Sequence, residues 1–167
     1  MPYQPGTHLV CPLKHQKMTD SQIFHPDNII PTGDWVWVFG SNLGGRHGKG
    51  AGKVAHVNFH AEYGVGYGLT GNAYAIPTKD KHLVVLPLET IAQNIDEFCH
   101  FAKSCPEKRF FINRVGCGLD GFFDHQIAPL FERGFALQNC SFPEEWVPHF
   151  VESKNTVLSV LQHLEFS

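Results

Sequence analysis

Cysteine is the first shortage that narrows the field. The five cysteines, Cys11, Cys99, Cys105, Cys117 and Cys140, are odd in number and form no CxxC pair. That argues against a disulfide framework and against a cysteine-rich zinc site. No stretch approaches the roughly 18 unbroken apolar residues of a membrane span, and the opening "MPYQPGTHLVCPLKHQ" lacks a signal peptide's apolar run. A soluble cytoplasmic protein without membrane association is the expectation. Excess positive charge is missing too. Thirteen Lys and Arg against sixteen Asp and Glu leave a net charge of −3, so the chain as a whole does not present the basic face of a DNA binder.

The most informative absence is local. Between Asp34 and Glu62 there is no carboxylate, yet Arg46, Lys49 and Lys53 and six glycines, from Gly40 to Gly52, all fall there. An acidic chain that clears its acids from a glycine-rich, cationic stretch points to an anion site in that stretch.

What is present fits one layered domain. At 167 residues the chain can bury a sizeable core, and its 43% hydrophobic composition is ordinary for a globular protein. Residues 1–33, with prolines at 2, 5, 12, 26 and 31, read as an arm packed on the core, with "THLVCPL" as a short edge strand and "TDSQIFHPDNII" as a helical turn and connector. "DWVWVFG" reads as a strand buried on both faces. "GKVAHVNFHAEYG" reads as a helix ending at Gly64. "NAYAIPTKD" and "LVVLPL" read as strands around a turn at Asp80–His82. "ETIAQNIDEFCHFAKSCP" is the plainest helix, with Ile91, Ile95, Phe98 and Ala102 at i, i+4, i+7 and i+11. "RFFINRVG" follows as a strand and "DHQIAPLFERGF" as a helix disturbed by Pro129. "NTVLSVLQHLEF" closes the chain as a helix or mixed segment. Strands alternating with helices predict a single α/β domain over 1–167 with a mostly parallel sheet.

Two predicted strands end in glycine-rich loops, "FGSNLGGRHGKGAGK" and "RVGCGLDGFFD", each followed by a predicted helix. In open α/β sheets ligands collect at the carboxyl ends of strands. Glycine lets main-chain amides approach an anion, and a following helix adds its positive end. Two such cradles suit a pyrophosphate. Neither standard nucleotide motif accounts for them. The Walker A pattern fails at His47 and Val54, and "GAGKVA" matches G-x-G-x-x-A but lies too far from its strand. The candidate contacts are Gly40, Ser41, Asn42, Gly44, Gly45, Arg46 and Gly48 in the first loop. In the second they are Val115, Gly116, Cys117, Gly118, Leu119, Gly121 and Phe122.

Three side chains have the chemistry to act on a ligand. Asn42 can orient a water or a ribose diol, or cap its own loop. His47 can serve as general acid or base. Asp120 can order water, meet a hydroxyl or cap the following helix. Cys117, among loop amides before a helix, supports a competing reading as a nucleophile in a hydrolase or transferase, or as a small loop filler. Arg114 either faces the pocket or bonds a carboxylate. His56 and His60 stand one helical turn apart, but no third metal ligand is evident, so neither a metal nor a cofactor is expected.

Four features in order resemble the macrodomain family: "WVWVFGSN" with its glycine loop, "YGVGYGLTGNAYAIPT", the helix "ETIAQNIDEFCHFA" and "FFINRVGCGLDGFF". The resemblance covers roughly residues 34 to 136. It implies a three-layer α/β/α sandwich around a mixed, mostly parallel sheet, binding ADP-ribose or a related diphosphate nucleotide. Some members hydrolyse ADP-ribosyl or acyl-ADP-ribose bonds, so an ADP-ribosylated macromolecule is an implied partner and a non-catalytic nucleotide sensor an alternative. By this resemblance Asn42 meets the distal ribose, while Gly44, Gly45 and the backbone to Gly48 lie near that ribose and the proximal phosphate. Gly116, Gly118, Leu119, Asp120 and Gly121 grip the diphosphate, and Phe122 packs against a ribose.

Overall fold

The computed structural model describes residues 24–135 and 137–150. Its strands are β1 (Phe24–His25), β2 (Trp35–Asn42), β3 (Gly68–Thr70), β4 (Ala73–Lys79), β5 (Arg109–Ile112) and β6 (Cys140–Pro143). They form one six-stranded sheet in the order β1-β6-β5-β2-β4-β3. Every pairing is parallel except β3 with β4. The helices are α1 (Gly50–Phe59), α2 (Leu88–Ser104), α3 (Asp124–Ile127) and α4 (Glu132–Phe135), with short 3-10 turns at Ala128–Phe131 and Glu144–Trp146. The fold is α/β with a mixed, mostly parallel sheet, as the alternation of elements predicts.

β2 is central, and its period of two sorts side chains to opposite faces. Val36 and Val38 join Tyr74, Ile76, Phe110 and Ile112 in a cluster with Ile91, Ile95, Phe98 and Ala102 of α2. Trp35, Trp37 and Phe39 join Ala73, Ala75 and Phe111 in a second cluster with Ala55 and Phe59 of α1. The Trp37 ring stacks on Phe59 at 5.1 Å and on Phe111 at 5.5 Å, and such pairs contribute roughly 0.5–1.5 kcal/mol each beyond area burial. Trp37 Nε1 also donates to the Ala51 carbonyl at 3.0 Å, fixing the start of α1 on the strand. Ile91, Ile95, Phe98 and Ala102 of α2 are all buried, as their spacing requires. The helix starts after Pro87 and ends at Cys105 before Pro106, which cannot continue it.

Several expectations need correction. The first helix ends at Phe59, not near Gly64. His60 takes the left-handed conformation (φ 60°), and the Ala61 amide closes back on the Ala55 carbonyl at 3.0 Å. Val57 of that helix is 62% exposed. "LVVLPL" is no strand. Asp80 accepts the amides of His82 and Val84 at 2.8 and 3.0 Å, which winds the segment into a tight loop with a single isolated bridge from Val85 to Lys79. β5 stops at Ile112 because Asn113 caps the Val38 carbonyl with its side chain, Nδ2 donating at 2.7 Å. Residues 124–135 divide into α3, a 3-10 turn and α4, with Pro129 inside the 3-10 turn. Phe24–His25, expected in a helical turn, pairs with β6 at the sheet edge. β3 and β6 were not foreseen. "THLVCPL" and "NTVLSVLQHLEF" lie outside the described residues.

Candidate functional site

The carboxyl ends of β4, β2 and β5 lie side by side, and the loops that leave them form one rim. Between Ser41 and Asn42 the β2–β4 register skips Thr78. Such irregularities re-aim side chains at sheet ends. The slip accommodates Pro77, which has no amide to give the ladder.

The first loop is tightly built. Both ends of the Asn42 amide are used on one residue: Nδ2 donates to the Arg46 carbonyl and Oδ1 accepts the Arg46 amide, each at 3.0 Å. The Gly45 amide donates to the Asn42 carbonyl at 2.9 Å. Asn42 is therefore a brace across its own loop, the capping alternative among its expected roles. Behind the loop stands a segment that sequence reasoning did not assign to the site, Tyr63–Tyr67. The Gly64 amide donates to the Gly45 carbonyl at 2.8 Å. Ser41 Oγ donates to the Gly66 carbonyl at 2.5 Å, and His47 Nε2 donates to the Val65 carbonyl at 2.9 Å. The approach is so close that a Cβ on Gly45 would lie 2.2 Å from the Gly64 carbonyl carbon. One on Gly66 would lie 1.8 Å from the Asn42 oxygen. The signal was present in the alternating glycines of "YGVGYG", at 64 and 66.

His47 is 2% exposed, packed edge-on against Phe39 and Tyr63. Its Nδ1 is buried without a hydrogen-bond partner, beside the position of Gly52. The ring supports the loop from beneath and does not face the rim. Beyond it, no main-chain amide from His47 to Gly52 has an acceptor among the described residues. Lys49, at the N-cap of α1, supplies no side-chain cap, and the first turn carries no acid. The start of α1 thus offers unpaired donors and the positive end of its dipole. Gly48 and Gly50 are exposed, and a Cβ there would touch nothing.

The second loop is anchored at its base and open at its tip. Arg114, at its start, clasps Asp124, at its end, through Nε to Oδ1 at 3.1 Å and Nη2 to Oδ2 at 2.7 Å, and also reaches Asp27 at 3.2 Å. Trp146 Nε1 donates to Asp124 at 2.8 Å. The hydrogen bond to Asp124 outweighs burial and, with Asp27, raises the guanidinium pKa further. Burial works against the Asp124 carboxylate, yet the hydrogen bonds from Arg114, Trp146 and Cys117 together hold it below the usual carboxylate range. Arg114 therefore takes the carboxylate-bonding role. Val115 is buried in the core, so only its main chain can reach the rim. Gly116 is buried, and its amide lies 3.6 Å from where a Cβ on Gly40 would stand, bringing the two loops together at the β2–β5 junction. Phe122 packs half-buried against the core under Gly116, while Phe123 is the exposed ring, stacked on His125. Burial, with Asp124 beside it, pushes the Cys117 thiol up to about 12. At the tip, Leu119 is 93% exposed. The amides of Leu119 and Asp120 donate to nothing among the described residues.

Asp120 Oδ1 meets Lys79 Nζ at 3.0 Å. The pair joins the ends of β4 and β5 and so crosses the end of β2 between them. Gly44 backs onto Lys81 of the β4 loop, closing the rim. Among the described residues no three His, Cys, Asp or Glu cluster as a metal would need, and His56 Nδ1 is spent on the Ala61 carbonyl. Nor is any helix there long and apolar enough to cross a membrane. No known family, curated protein or solved structure matches the chain, so the geometry of this rim stands as the basis for its function.

Proposed function

We propose that the chain is a macrodomain-like, three-layer α/β/α domain that binds ADP-ribose or a closely related diphosphate nucleotide at the rim formed by the β2, β4 and β5 loops. One observation carries the reading: two glycine loops leave adjacent parallel strands with main-chain amides that have no acceptor among the described residues, His47–Gly52 in one and Leu119–Asp120 in the other, and meet at Gly40 and Gly116. Amides in a nest or at a helix start are suited to phosphoryl oxygens. Helices pack on both faces of the sheet, which supports the layered architecture.

Binding comes before turnover in this reading, because the side chains expected to do chemistry are engaged. Asn42 is spent on Arg46, His47 is buried beneath its loop, and Asp120 is paired with Lys79. Cys117, with a pKa near 12, holds little thiolate at neutral pH, which disfavours the cysteine route. A nucleotide sensor fits these engagements better than a hydrolase of ADP-ribosyl or acyl-ADP-ribose bonds. Calorimetry with ADP-ribose, AMP, NAD and adenosine tests the proposal. ADP-ribose is expected to bind well ahead of adenosine; equal, weak binding of all four refutes a preorganised diphosphate site. Incubation with ADP-ribosylated protein then separates the sensor from the hydrolase, and turnover would restore the latter.

A further inference from the structure

Asp120 is the only acid in the two loops, residues 39–53 and 114–123. Set among free amides and next to a phosphate site, its carboxylate would repel a diphosphate. It is not idle, however: it holds Lys79 at 3.0 Å, with 24% and 13% of the two side chains exposed. Apart from Arg114, which is spent on Asp124 and Asp27 at the base of the second loop, the other cations on or near the rim, Arg46, Lys49, Lys53 and Lys81, make no ion pair among the described residues. The strand-end lysine is therefore the one rim lysine whose charge is already taken, and it is taken by a neighbour that carries the same chemistry as a ligand oxygen.

The loop is made so that this neighbour can leave. Arg114 and Asp124 clamp its base. Gly118 (φ 125°) and Gly121 (φ 84°) flank Leu119–Asp120, in a turn closed by the Gly121 amide on the Gly118 carbonyl at 3.0 Å. Side chains seldom adopt those backbone angles, whereas glycine moves through them freely. A Cβ at Gly118 or Gly121 would meet nothing within 4 Å, so the tip has room to turn Asp120 away from Lys79 while Arg114 and Asp124 hold the base.

We propose that Asp120 is a built-in surrogate anion, a latch across the end of β2. Ligand binding exchanges its carboxylate for a phosphoryl oxygen on Lys79 as the 118–121 tip turns outward. The inference rests on the nucleotide reading above and adds to it a selection rule: a ligand needs a phosphoryl charge to open the latch, so adenosine cannot substitute for ADP-ribose. The exchange is ionic and breaks no covalent bond.

The test uses the 167-residue chain, Asp120→Asn, Lys79→Gln and the double variant, titrated with ADP-ribose and with inorganic pyrophosphate, each variant's urea midpoint checking its fold. A partly exposed pair of this kind holds back binding by about five-fold, so Asp120→Asn is expected to bind both probes tighter by about that factor. Lys79→Gln is expected to bind them more weakly, and in the Lys79→Gln background the gain from Asp120→Asn should vanish. Unchanged or weaker binding by a folded Asp120→Asn overturns the latch, since Asp120 would then be idle or a direct ligand contact. If pyrophosphate shows the gain and ADP-ribose binds no variant, the latch stands and the nucleotide reading falls. Binding of neither probe to any variant overturns both.

Discussion

Replacing Asn42 separates a brace from a ligand-reading amide. Asn42→Ala deletes two hydrogen bonds to Arg46, each 3.0 Å long. At roughly 0.5–1.5 kcal/mol net apiece, the loss should be about 2 kcal/mol of stability. With an m-value of about 2 kcal/mol per molar in urea, the unfolding midpoint should fall by about 1 M. Asn42→Asp is the sharper control. It keeps an acceptor for the Arg46 amide but turns its other oxygen against the Arg46 carbonyl, so it should be at least as destabilising as alanine. Far-UV circular dichroism through a urea titration reads both. The neighbouring bonds at Gly45, Gly64 and His47 remain, so the fold survives and the damage stays in the first loop. Nucleotide affinity should drop with stability, since the loop that offers the amides is loosened. An Asn42→Ala protein that keeps the parent midpoint and loses only ligand binding would refute the brace and return Asn42 to the ligand.

Two further predictions concern groups away from the rim and beneath it. Burial lowers the pKa of His25 from 6.5 to about 4, against the opposing pull of the Ile112 backbone and Asp27. The folded state therefore keeps it neutral while the unfolded chain gains a proton, and stability should fall as pH drops through the window from about 6.5 to about 4. Between pH 7.5 and pH 5 the loss should be about 2 kcal/mol. His25→Gln, which still offers a partner for Ser141 Oγ, should flatten that slope in urea titrations at the two pH values; equal slopes would sink the argument. Cys117, with its thiol near 12, should react with iodoacetamide at pH 8 at least about ten-fold more slowly in the folded protein than in urea, since the smaller thiolate fraction outweighs the greater nucleophilicity of a higher-pKa thiolate. Rapid labelling of Cys117 in the native state, read by peptide mapping, would reopen the cysteine route.

Long, periodic elements were legible from the sequence because burial imposes its period on them. β2 needs apolar residues on both faces, and α2 carries its core stripe at helical spacing. The two glycine loops were legible for a different reason, since their composition defies the acidic average of the chain. What escaped was decided by tertiary contact. "CSFP" becomes buried β6, with all four residues inside, although so short a run ending in proline carries no strand pattern of its own. "LVVLPL" is the reverse case. Its β-branched run looks like a strand, but Asp80 offers its carboxylate to two amides of that loop, and Val84 is left exposed. The roles of Asn42 and Arg114 were each narrowed to two alternatives by chemistry, and only their partners could choose. The Tyr63–Tyr67 backing was missed because its contribution is space, and an absent Cβ leaves no pattern except the glycines themselves.

The two halves of the rim differ in stiffness, and that difference assigns them different work. The first loop is tied to Asn42, Gly64, Val65 and Gly66 by hydrogen bonds and by contacts too close for any side chain, so it meets a ligand already shaped. A preformed surface avoids the cost of ordering on binding. The second loop is clamped at its base by Arg114 and Asp124 and closes on itself through the Phe122-to-Gly116 and Gly121-to-Gly118 bonds. Its tip, however, is joined to the end of β4 only by the Asp120–Lys79 ion pair among the described residues. Affinity should therefore reside mainly in the first loop, where loosening the brace speeds dissociation. Access should be governed by the second, where releasing Asp120 changes how readily Lys79 becomes available. On the proposed reading, a stiff cradle facing a latched tip would hold a diphosphate firmly and still reject a ligand that brings no charge to open it.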